Sequence, residues 1–185
     1  MVDQLRFVSN NQCKITECQE ILGQIGIEVM PIHLKIEEIQ TEKTDDLIKD
    51  KLLKAFSKIR RPLFVEHTGL YLNHLNGFPG GLTQVFWDTL RADLFAELFG
   101  NTRDTSVEAR TKVGYTDGKL IKFFEGRISG NIAKEPSGNR DFQWDCIFVP
   151  TGYSETFAEL GDKKNEISMR RKALDEFSKF LSSEA

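Results

Sequence analysis

Cysteine is scarce in this chain: Cys13, Cys18 and Cys146 are the only three among 185 residues. So odd and sparse a set excludes a disulfide framework and reads as the reduced thiols of an intracellular, cytoplasmic protein. Cys13 and Cys18 have no Cys or His pair at metal-ligand spacing, so zinc is not expected. Long apolar runs are missing too. The start, Met1 to Arg6, leads straight into a strand-like run, so neither a signal peptide nor a membrane span is expected. Positive charge is not in excess, the net charge being −3. That speaks against a broad nucleic-acid surface, while a few clustered cations still suffice for a small anion. Internal repeats, low-complexity tracts and interdomain linkers are not found, and residues 1–185 read as one domain.

What is present is ample core material: 39% of residues are hydrophobic and 14 are Phe. Leu5 to Val8 reads as a short strand, and Ser9-Asn10-Asn11 as a polar turn and helix cap. Ile15, Cys18, Ile21 and Leu22 recur at helical spacing, with Gly23 or Gly26 as the stop. Ile27 to Met30 predicts a second strand, and Glu37 to Lys43 a polar loop. Ile48, Leu52, Ala55, Phe56 and Ile59 mark an amphipathic helix broken by Pro62, before a buried strand at Leu63-Phe64-Val65. After a turn at Gly77 to Gly81, Val85 to Phe99 predicts a helix ended by Gly100-Asn101. Val107 to Tyr115 alternates as a strand, and Asp117-Gly118 before Leu120 to Phe124 predicts a hairpin. Arg127 to Ile132 is expected as a third antiparallel strand and Cys146 to Val149 as one more. Ile167, Leu174, Phe177 and Leu181 define a last helix. Early strands alternate with helices and a meander follows, which predicts a mixed α/β sheet.

Four segments carry polar chemistry. Ser9 to Lys14 is a strand-to-helix turn, where unsatisfied N–H groups, two polar side chains and a lysine suit phosphate. Phe64-Val65-Glu66-His67-Thr68-Gly69-Leu70 brings Glu66 and His67 to the end of a strand, where α/β sheets bind ligands and a carboxylate can hold Mg²⁺. Phe142-Gln143-Trp144-Asp145 sets aromatic planes beside an amide and a carboxylate, as a nucleobase requires. Lys164 to Arg170 opens the last helix with cations suited to phosphate. Taken alone, the segments read more simply as a polar cap, a solvated strand end, a core tryptophan and a charged helix start.

In order along nearly the whole chain, the four segments resemble the inosine triphosphate pyrophosphatase family. Its first turn (Ser or Thr, any residue, Asn, two residues, Lys) is matched by Ser9, Asn11 and Lys14. Glu38-Ile39-Gln40 matches its Glu-Ile-Gln segment, and Lys51 its helix lysine. Glu66, Thr68, Gly69 and Leu70 match Glu-Asp-Thr-Gly-Leu, and Gly77 to Gly80 the Gly-Phe-Pro-Gly turn. Phe142 to Asp145, Lys164-Asn165 and Ser168-Met169-Arg170 stand for its base-reading and closing elements.

The resemblance implies an elongated α/β fold, a mixed sheet flanked by helices with a nucleotide cleft between two lobes, usually as a homodimer. It implies hydrolysis of (deoxy)inosine and xanthosine triphosphates to monophosphate and pyrophosphate, with Mg²⁺, or Mn²⁺ in its place. Catalysis is expected at Glu66 and His67, and metal binding at Glu38 and Glu66. Substrate binding is expected at Ser9, Asn11, Lys14, Lys51, Thr68, Phe142, Gln143, Trp144, Asp145, Lys164 and Arg170. The four cations Lys14, Lys51, Lys164 and Arg170 should converge on one triphosphate, with Trp144 against the purine. No nucleic-acid or membrane partner is expected.

Several positions depart from the family pattern. His67 stands where the family has an aspartate that helps bind metal and orient water; imidazole is a poor Mg²⁺ ligand but can act as a base. Met169 replaces a histidine, Gln143 a glycine, and Gln84 a lysine found in some members. The phosphate cradle is thus kept while the metal and base-reading parts are altered. Two functions follow: a pyrophosphatase with reduced or altered activity, or a catalytically impaired nucleotide-binding or regulatory protein on the same scaffold.

Overall fold

A computed structural model describes residues 4–183. Strand β1 (Gln4–Val8) pairs in parallel with β2 (Glu28–Ile32) on one side and β3 (Leu63–Leu72) on the other. Parallel neighbours need crossovers, and helices α1 (Gln12–Gly23) and α2 (Thr44–Ile59) supply them. From β3 onward the sheet is antiparallel through β4 (Ser106–Thr116), β5 (Ile121–Ile132) and β6 (Phe148–Pro150), giving the order β2-β1-β3-β4-β5-β6. The sheet is mixed, as the alternation of elements indicated. The β4–β5 turn forms where expected: Asp117 Oδ1 accepts the N–H groups of Lys119 and Leu120, and Gly118 takes a φ of +95°.

Helix α3 (Thr83–Phe99) is followed late in the chain by two single-turn helices, α4 (Phe157–Leu160) and α5 (Lys164–Ile167), and by α6 (Met169–Ser183). Four expectations are corrected. The expected runs Leu120 to Phe124 and Arg127 to Ile132 fall, from Ile121 on, in one continuous strand, β5. The Leu63-Phe64-Val65 strand extends to Leu72. Cys146 lies in a 3₁₀ turn before β6, and Ile167 belongs to α5, separated from α6 by the extended Ser168. Helix α3 is kinked at Arg91, whose φ is +58°.

Buried side chains form three clusters. One lies between α1, α6 and the sheet, with Phe7, Leu22, Phe64 and Phe177; a second lies under α2, with Ile48, Leu52, Leu63 and Val65. The third gathers Leu70, Leu72, Phe95, Phe148 and Phe157 around α3 and α4. Strand β3 threads all three, and its polar middle, Glu66-His67-Thr68, lies between Phe64-Val65 and Leu70. That polar interval brings Glu66 to the edge of an open cavity. Pleating puts Glu66 and Thr68 on the α1/α6 side with Phe64, and His67 on the α2 side with Val65.

Helix α6 approaches β5 closely because Gly126 has no side chain: a Cβ there would collide with the Met169 carbonyl and the Ala173 amide. Both obstacles are backbone, so Gly126→Ala must push the helix outward. The expected cost is about 1–3 kcal/mol, read as a lower urea midpoint. An unchanged midpoint would show that α6 shifts freely, and Arg170 with it.

Candidate active site

The site begins where β1 ends. Asn11 caps α1, its Oδ1 accepting the Lys14 N–H at 3.1 Å, and Ser9 Oγ accepts the Asn11 N–H at 3.2 Å. These bonds hold the first amides of α1 toward open space, the positive end of the helix. The Ser9 hydroxyl and the Asn11 amide keep donors free for a phosphate.

Lys14 Nζ lies 2.5 Å from Glu66 Oε1. Burial lowers the lysine pKa, and Arg170 and Lys51 add to that, against the pull of Glu66. Glu66 Oε2 accepts from Arg170 Nε at 3.2 Å and from the Thr68 hydroxyl at 3.0 Å. Burial alone would raise the Glu66 pKa, but Lys14 and Arg170 outweigh it and hold the carboxylate well below its usual range. Arg170, 1% exposed, also binds Glu17 through Nη1 and the Thr68 hydroxyl through Nη2. Glu17 passes the chain on to Lys164 Nζ at 2.8 Å, which lies 2.5 Å from Asp145 Oδ2. The result is a buried ladder of alternating charge: Lys14, Glu66, Arg170, Glu17, Lys164, Asp145. At its end burial dominates over Lys164 and pushes the Asp145 carboxyl up to about 6.

On the α2 side of β3, Lys51 Nζ donates to the Glu66 carbonyl at 3.2 Å and pairs with Glu38 Oε1 at 2.7 Å. Glu38 Oε2 lies 3.7 Å from His67 Nδ1. Burial would raise the Glu38 pKa, but His67 and Lys51 outweigh it and hold it at about 2. Burial lowers the His67 pKa, with Lys14 and Lys51 adding to that against the pull of Glu38.

A cavity of about 400 Å³ opens over this region, lined by Ser9, Asn11, Lys14, Glu38, Lys51 and Glu66. Gln84 and Gln143 close its far side, with Gln143 Nε2 donating to Gln84 Oε1. Gln143 has a φ of +44°, a conformation that glycine adopts without strain. The two glutamines that depart from the family pattern thus meet each other. A second cavity, of about 440 Å³, lies beyond Phe142 and is lined by Glu17, Asp145 and Lys164.

The four expected cations do not face one cavity. Lys14 and Lys51 border the first, Lys164 borders the second, and Arg170 is sealed within the ladder. Trp144 is 3% exposed, with its indole packed in the core against Phe148 and Phe157, so it presents no stacking face. The half-buried Phe142 is the ring beside the open space, with Lys164 Nζ 4.1 Å from its centroid. Met169 is buried core as well. Glu17 was not anticipated; its one signal was a carboxylate one turn after Lys14 on the helix face that carries Cys18 and Ile21.

Among the described residues no three His, Cys, Asp or Glu side chains gather as a metal cluster. The donors nonetheless suit a divalent ion that arrives with a nucleotide, since Mg²⁺ is typically held by one or two carboxylates plus phosphate oxygens. Glu38 is ionised, with one oxygen on Lys51 and the other turned to His67, whereas both Glu66 oxygens face cations.

A model of the Ham1 family matches residues 5–180. The chain belongs to the Ham1 family. It is 35% identical over 176 residues to the dITP/XTP pyrophosphatase of Methanopyrus kandleri, covering 94% of each protein. It is 34% identical over 177 residues to the dITP/XTP pyrophosphatase of Saccharolobus solfataricus, covering 95% of this chain and 92% of that one. The solved HAM1 protein of Coxiella burnetii matches with a TM-score of 0.80 at 25% identity, over 97% of this chain and 98% of that one. The Ham1 fold thus accounts for the mixed sheet and its flanking helices. No helix among the described residues is long and apolar enough to cross a membrane.

Proposed function

We propose that this chain is a nucleoside triphosphate pyrophosphatase of deaminated purine nucleotides, the (deoxy)inosine and xanthosine triphosphates. The observation that carries the reading is the first cavity, where a capped helix N-terminus, Lys14 and Lys51 meet the Glu38–His67 pair. Helix amides and two ammonium groups bind the phosphates, and the names of the relatives favour cleavage over binding alone. The bond cut lies between the α and β phosphates, releasing pyrophosphate.

The base lies beyond Phe142, near Lys164 and Asp145. A 6-oxopurine offers an acceptor at O6 and a donor at N1, which suit an ammonium and a carboxylate. Adenine reverses both, leaving polar groups unpaired, which is the strong form of discrimination. Phe142 provides the stacking face, and Gln143 borders the phosphate side. Glu38, with Glu66 behind it, is the carboxylate side of the metal site, and Ser9, Asn11 and Thr68 position the phosphates. A bound divalent ion, Mg²⁺ or Mn²⁺, supplies charge neutralisation and an activated water. His67 and Glu38 are the groups of this chain beside the reacting phosphates. The reading extends to a cytoplasmic homodimer, checked by sedimentation.

The experiment is direct. Inosine, xanthosine and adenosine triphosphates are incubated with the protein and divalent ion, and pyrophosphate is measured. Turnover of the first two at least 100-fold above adenosine triphosphate is expected. Tight binding without pyrophosphate release would instead establish the impaired, binding-only protein.

A further inference from the structure

The chain has three histidines, and only His67 is buried; His33 and His74 are exposed. His67 as a whole is 6% exposed, yet neither ring nitrogen has a hydrogen-bond partner at ordinary length. Nε2 has no hydrogen bond, and Nδ1 stands 3.7 Å from Glu38 Oε2, longer than a hydrogen bond. Native folds rarely bury a polar group in this way unless a water, an ion or a catalytic role accounts for it.

The surroundings narrow the choice. Glu38 gives one oxygen to Lys51 and turns the other to the ring. The neutral ring carries a single N–H, and with that hydrogen on Nε2 the Nδ1 lone pair faces the carboxylate oxygen. A cation between the two then joins them. A metal ion, with bonds of about 2.0–2.2 Å to each, spans the observed separation.

The geometry points to a mixed nitrogen–oxygen cation site, His67 Nδ1 with Glu38, that selects a first-row transition-metal ion over Mg²⁺. Mg²⁺ seeks oxygen and sheds water reluctantly, whereas imidazole suits the transition ions. An aspartate at position 67 would make an all-oxygen site; the histidine changes which ion the nucleotide is cut with. The inference rests on the pyrophosphatase reading, because nucleotide phosphates complete the shell.

The full-length protein is titrated with Co²⁺ alone, following visible absorption and the hyperfine-shifted proton resonances of bound imidazole. One shifted imidazole N–H is expected, kept by His74→Gln and lost in His67→Asp. Mg²⁺ should displace Co²⁺ from the native protein only in at least 100-fold excess, and tenfold more easily from His67→Asp. Absence of Co²⁺ binding, absence of a shifted imidazole signal in the native protein, or displacement by equimolar Mg²⁺ overturns the proposal. The native spectrum decides even where the variant folds poorly. Bound imidazole without pyrophosphate release overturns the functional reading and leaves the site standing. Release supported by Mg²⁺ with no imidazole signal does the reverse.

Discussion

Arg170→Ala is expected to lower unfolding free energy by about 3–5 kcal/mol at neutral pH, the cost of removing one partner from a buried ionic cluster. Arg170 is the hub of the ladder, touching Glu17, Glu66 and Thr68 with three different nitrogens, and solvent cannot replace it at 1% exposure. Arg170→Lys should recover little, since an ammonium cannot fork to three acceptors. Arg170→Met with Glu17→Gln should recover more than the sum of the single changes allows, because it removes a stranded carboxylate together with its partner. The pH dependence has a definite sign. Glu17 and Glu66 both have folded pKa values below their ordinary 4.5, so their stabilisation is present above that value and lost as pH falls through the folded ones. The deficit of Arg170→Ala should therefore shrink on acidification. Urea titrations at neutral pH and below 4.5 measure it, and a deficit under about 1 kcal/mol at neutral pH would mean the cluster contributes nothing net.

Glu38→Gln should do the opposite, costing activity and sparing the fold. Glu38 sits on the loop before α2, with its side chain 32% exposed, and its two oxygens face Lys51 and His67. Neutralising it removes the anionic half of the cation site, where several kcal/mol of charge stabilisation are at stake. Turnover should fall on the order of 10²–10⁴-fold. The unfolding midpoint should stay within about 2 °C, since partly exposed positions usually contribute under ~0.5 kcal/mol. Turnover above a tenth of native would place the ion elsewhere.

The order of the fold was largely legible because its signals are local. Asp117-Gly118 marks a turn by its own chemistry, and Asn11 caps a helix by its own side chain. The misreadings arose where distant chain decides. Leu120 to Phe124 and Arg127 to Ile132 were expected as separate strands, yet Gly126 between them is a strand residue kept bare for α6. Trp144 looked like a stacking ring because its neighbours are polar; Phe148 and Phe157 enclose it from other elements. Glu17 gave no reading at all, since the cations that define its role lie 147 and 153 positions away. The kink at Arg91 has no signal in the sequence that we can name.

The ladder has one more consequence, for what enters the cleft. Its cations, Lys14, Arg170 and Lys164, are matched one for one by Glu66, Glu17 and Asp145. The interior is thus already electroneutral before any nucleotide arrives, and Glu38 likewise cancels Lys51. Little surplus charge waits to attract a polyanion, so a divalent ion, seated beforehand or carried in by the triphosphate, must supply the balance. Nucleotide without any divalent ion should then be held weakly at this mouth.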